Sequence, residues 1–185
     1  MDCSLLIGQQ LDALGDLAKS LGEPGRGDAA CHVLYRELRD RAAAHCQVRE
    51  QIVLPVLQRS RWKGLSSEAL AAHMDLKRTL AALCIVGPGE PDFARMLALF
   101  QEAVAQQRLA DELWLMPSLR EVSTVEQRRL MCNEIERLQE SLIPPADHYL
   151  VTGVEGKPGS GLVEDATVVL TLLGSDIRGP AVGAS

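Results

Sequence analysis

HCQVREQIVLPVLQ, residues 45–58, is written a second time as QRLADELWLMPSLR, residues 107–120. The copies are 62 residues apart (107 less 45), and at that offset Glu50 matches Glu112, Pro55 matches Pro117 and Leu57 matches Leu119. Each proline stands ten places after the first residue of its copy, inside a stretch that otherwise has helical periodicity. A second pair of segments repeats at an offset of 63 (75 less 12), matching Asp12 with Asp75, Leu17 with Leu80 and Ala18 with Ala81. Two similar helical hairpins explain both offsets.

Working outward, apolar residues at Leu6, Leu11, Leu14, Leu17 and Leu21 form a helical stripe over 4–21. GEPGRGD breaks it, with Asp28 as the expected N-cap of a long helix over about 29–59. A turn at RSRWKGLSS leads to a third helix over about 67–86, and GPGEPD ends that one. The fourth spans from 91 or 92 to about 122. The fifth runs to about 142, with Ser123 and Glu126 spaced as a capping box. Short Gly/Pro turns between long helices place neighbours antiparallel. The expected fold class is all-α: an up-down-up-down four-helix bundle with a fifth helix against it.

The division expected from composition is a helical domain over 1–142 and a Gly/Pro-containing tail over 143–185. The tail carries a Val/Thr-rich run at 166–173, which as a lone strand would have no partner. Hydrophobic residues make up 46% of the 185, enough for a core, but only 3% are aromatic, so Leu, Ala, Val and Ile must fill it. The net charge of −6 and the lack of a basic stripe argue against nucleic acid. No apolar run is long enough to span a membrane, and the N-terminus lacks a basic signal region. Five scattered cysteines without a C-x-x-C pair read as reduced thiols in a cytoplasmic chain. Only Cys46, beside His45, is placed to act as a thiolate.

These residues resemble the hemerythrin-like family, the HHE cation-binding four-helix bundles, over roughly 4–142. His45 with Val53-Leu54-Pro55 stands where the family has His-x-x-x-Glu followed by Leu-Tyr-Pro. His73 stands at the third-helix histidine, and Leu115-Met116-Pro117 at the Phe-Pro position. The resemblance implies a metal site in the bundle core, with iron as the expected cofactor and a small diatomic ligand or peroxide to sense or handle. The ligand types kept are His45, His73 and Asp111, a set suited to one iron rather than two. Gln10 and Gln107 fall at histidine positions and could assist through their carbonyls. Glu50 joins them if the alignment slips by one residue, and otherwise lies on a solvated face.

The departures weigh against that site. Four residues after His45 stands Arg49, not a carboxylate. A guanidinium is always charged and repels a dication. Pointing inward, it would pair with Asp111 and replace a metal bridge with a buried ion pair. Three readings therefore stand: a one-metal remnant, a metal-free interaction or regulatory module, or a bundle that binds a small molecule in the vacated polar core. The tail is a candidate contact for a protein partner. His32 and His148 are expected at the surface. No nucleophile elbow or phosphate loop supports an enzyme of another class.

Overall fold

The computed structural model describes residues 2–58 and 66–145, without the side chains of Gln58 and Ser66. The turn at 59–65, the tail from 146 with its 166–173 run, and His148 lie outside the described residues. Helix α1 is Cys3–Leu21. Helix α2 is Asp28–Val48, continued by a π-turn at Arg49–Val53 and a last stretch at Leu54–Gln58. Helix α3 is Ser66–Val86. Helix α4 is Phe93–Ala110, a π-turn at Asp111–Leu115, then Met116–Val122. Helix α5 is Val125–Leu142. Helices α1 to α4 pack in a ring, each against the next and α4 against α1, and α5 lies across α1 and α2. This is the up-down-up-down bundle with an added fifth helix.

Local chemistry sets the ends. Asp2 caps α1 by accepting from the Ser4 amide at 2.9 Å. Gly87 stops α3: its φ of 67° is open to glycine, and its N–H bonds the Leu83 carbonyl. Two expected caps fall elsewhere. Asp28 is the first residue of α2, and Gly27 is its N-cap. The capping box before α5 is Thr124 with Gln127, one residue beyond the expected Ser123 and Glu126. Glu126 pairs with Arg129 instead, and the Ser123 hydroxyl donates to the Leu119 carbonyl.

Both prolines come just after π-turns. The Leu54 N–H reaches the Arg49 carbonyl, five residues back, and the Met116 N–H reaches that of Asp111. A proline cannot donate to the carbonyl four residues back and crowds it. An extra residue in the turn before Pro55 and Pro117 opens the helix where that donor is missing.

The apolar core is in two parts. One cluster lies toward the α1–α2 and α3–α4 turns and includes Leu14, Leu38, Leu80 and Phe100. Tyr35 and Phe93 meet edge to face there, with centroids 5.9 Å apart. The other lies at the opposite end, where Ile7, Val53, Leu115 and Leu119 meet Met131 and Ile135 of α5. Arg128 fastens α5, with Nε bonding Asp2 at 2.9 Å. Between the clusters, all four bundle helices contribute polar side chains.

Candidate metal centre

The polar belt holds Gln10 from α1, His45, Arg49 and Glu50 from α2, His73 and Lys77 from α3, and Gln107 and Asp111 from α4. His45, Arg49, Gln107 and Asp111 are fully buried, and His73 and Lys77 nearly so. The inward face of α2 carries Leu38, Ala42, His45 and Arg49 in sequence, so helical spacing alone places the last two in the core. On α3, His73 and Lys77 share a face by the same four-residue step.

Each expected ligand already has a partner within the chain. Arg49 Nη1 donates to Asp111 Oδ2 at 2.6 Å. Gln107 Nε2 donates to the other oxygen, Oδ1, at 2.8 Å. His45 Nδ1 meets Gln10 Oε1 at 3.0 Å. His73 Nε2 donates to Glu50 Oε1 at 3.0 Å, and Lys77 Nζ donates to the same oxygen at 2.6 Å. Glu50 thus turns toward the belt rather than onto a solvated face, whereas its repeat partner Glu112 pairs with Arg108 on the surface.

The electrostatics come from burial and from these cations. Burial holds the His45 pKa well below the ordinary histidine value, and Arg49 and His73 push it the same way. Burial also lowers His73, against the pull of Glu50. Burial alone would raise Glu50, but hydrogen bonds from His73 and Lys77 outweigh it and bring the carboxyl to about 2. Cys46 is buried and its thiol is pushed up to about 12, so it offers no thiolate at neutral pH. His32 is exposed.

The belt does not fit a metal pair. Two carboxylates face it, Glu50 and Asp111, and each is held by a side-chain cation. Both histidines lie within the field of Arg49. Among the described residues, no three His, Cys, Asp or Glu side chains come together as a group that could hold a metal ion. Lys77 is the member not singled out in the sequence. A signal for it was present: His73 and Lys77 repeat the spacing of His45 and Arg49, a histidine followed four residues later by a cation.

Two surface grooves run along α1 and α4, sharing Asp12 and Arg108, and none of His45, Arg49, His73 or Asp111 lines either one. No helix among the described residues is long and apolar enough to cross a membrane.

Against known proteins, no protein-family model and no curated protein sequence matches the chain. The fold matches a crystal structure of a hemerythrin HHE cation binding domain-containing protein from Mycobacterium kansasii, with a TM-score of 0.66. The two are 17% identical, and the match covers 89% of this chain and 99% of the other. The chain has the hemerythrin-like fold.

Proposed function

We propose that this bundle works without a metal, as an interaction or small-molecule-binding module whose polar belt has taken over the structural role of a metal centre. One observation carries the reading: the Arg49–Asp111 ion pair, 2.6 Å long with both side chains fully buried. It consumes the carboxylate that an iron would need and sets a permanent positive charge among the remaining donors. Five free cysteines support a reducing, cytoplasmic setting. Residues 143–185 are the proposed contact for a protein partner.

The test is elemental analysis of protein purified without oxygen and reconstituted with Fe(II), beside His73→Ala. Metal far below one per chain in both is the expected result. About one iron per chain, lost in the variant, would replace this reading with a one-iron centre for diatomic ligands or peroxide.

A further inference from the structure

Hydrogen bonding inside the belt leaves good ligand atoms unused. His45 engages Gln10 through Nδ1, and His73 engages Glu50 through Nε2. The second nitrogen of each ring, His45 Nε2 and His73 Nδ1, is buried with no hydrogen-bond partner among the described residues, and so is Gln107 Oε1. A neutral imidazole that donates through one nitrogen carries a lone pair on the other. Since Glu50 accepts from Nε2 of His73, the lone pair of that ring is on Nδ1. Since Gln107 donates its amide to Asp111, its carbonyl oxygen is the idle end. Among the described residues, Arg49 also leaves Nε and Nη2 without a partner.

The charges balance pair by pair. Arg49 neutralises Asp111, Lys77 neutralises Glu50, and both histidines are driven toward the neutral form. Taking away the guanidinium would leave the Asp111 carboxylate buried without a cation, a state proteins avoid. Asp111, with Gln107 bonded to it, adjoins the guanidinium, and His45 and His73 lie within its field, so a carboxylate, an amide and two imidazoles border the space it fills. That is a nitrogen–oxygen donor set for a divalent transition ion.

We propose that Arg49 keeps a latent divalent-metal site shut, supplying from the chain the positive charge that a metal ion would otherwise bring. The inference rests on the metal-free reading above. Arg49 acts here as a selectivity element against cations: one side chain decides whether the belt is a metal centre or an ion-pair network.

The probe is Co(II), followed by calorimetry and by its visible ligand-field absorption, on the full chain, Arg49→Glu and Arg49→Gln. Wild type should bind no stoichiometric Co(II). Arg49→Glu should take up one ion per chain, roughly a hundredfold more tightly than wild type, with absorption typical of nitrogen and oxygen ligands. Adding His73→Ala should abolish that gain. If Arg49→Glu is unfolded without metal, Co(II) should restore its helical circular dichroism, and Arg49→Gln serves as the milder variant. Folded variants that bind Co(II) no better than wild type would overturn the proposal. So would a gain indifferent to His73→Ala, or variants that stay unfolded with Co(II). Stoichiometric binding by wild type is a separate result that removes the metal-free reading itself.

Discussion

Arg49 and Asp111 stand at equivalent places in the two halves of the repeat, 62 residues apart, and they bond each other across the bundle. Each is also the first residue of a π-turn, in α2 and in α4. Two equivalent positions carry opposite charges, and the pair closes the belt. Removing one partner of a buried pair strands the other charge, so Asp111→Ala should cost about 3–5 kcal/mol. The double variant Arg49→Met with Asp111→Leu should regain most of that in urea unfolding. A double variant no more stable than the single one would show that the pair does not act as a unit.

Acid should weaken the fold in two stages. His45 and His73 have pKa values lowered from 6.5 in the folded chain, so below 6.5 the unfolded chain binds more protons and stability falls as pH drops. Each proton of difference contributes up to about 1.4 kcal/mol per pH unit. Glu50 adds a second loss between its ordinary 4.5 and its folded value of about 2. Denaturant titrations at pH 7.5, 5.5 and 4 (chosen to bracket the stages) should give steadily lower midpoints. His73→Gln should flatten the first stage.

Chelators should leave the melting temperature unchanged, and so should added Fe(II) or Zn(II). A resident ion at a hundred times its dissociation constant would add about 2.7 kcal/mol, a shift of several degrees that calorimetry resolves easily.

Thiol titration in the native state should modify no more than one cysteine of the five, Cys31, because the other four are buried. Cys46 and Cys3, with thiols raised to about 12 and about 11, should react only after unfolding. Fast native labelling of Cys46 would mean that the belt opens to solvent.

The sequence carried the bundle well because helix length, Gly/Pro breaks and the internal repeat are local signals that packing reinforces. Helix starts were less legible: Ser123 with Glu126 and Thr124 with Gln127 both satisfy the capping pattern, and only backbone geometry chooses between them. The pairing of Arg49 with Asp111 could be anticipated from the charge at an inward position. The inward turn of Glu50 was one of two readings, separated by a one-residue slip of the alignment, and only its partners on the facing helix, His73 and Lys77, choose between them. Lys77 carried a signal, its four-residue spacing from His73, but a weak one. Lysine is seldom buried, and nothing in a single helix says that a carboxylate waits opposite.

The belt also separates two greasy layers, one on each side of it. Leucine layers are forgiving: one hairpin could slide past the other by a helical turn, about 5.4 Å, and still bury apolar surface. The charges are not forgiving. Such a slide would drive the Arg49 guanidinium into a layer of leucines and leave Asp111 facing methyl groups. The two hairpins are therefore aligned by charge where shape alone would leave them free to slip. The Arg49–Asp111 pair is a ruler built from the chain's own side chains.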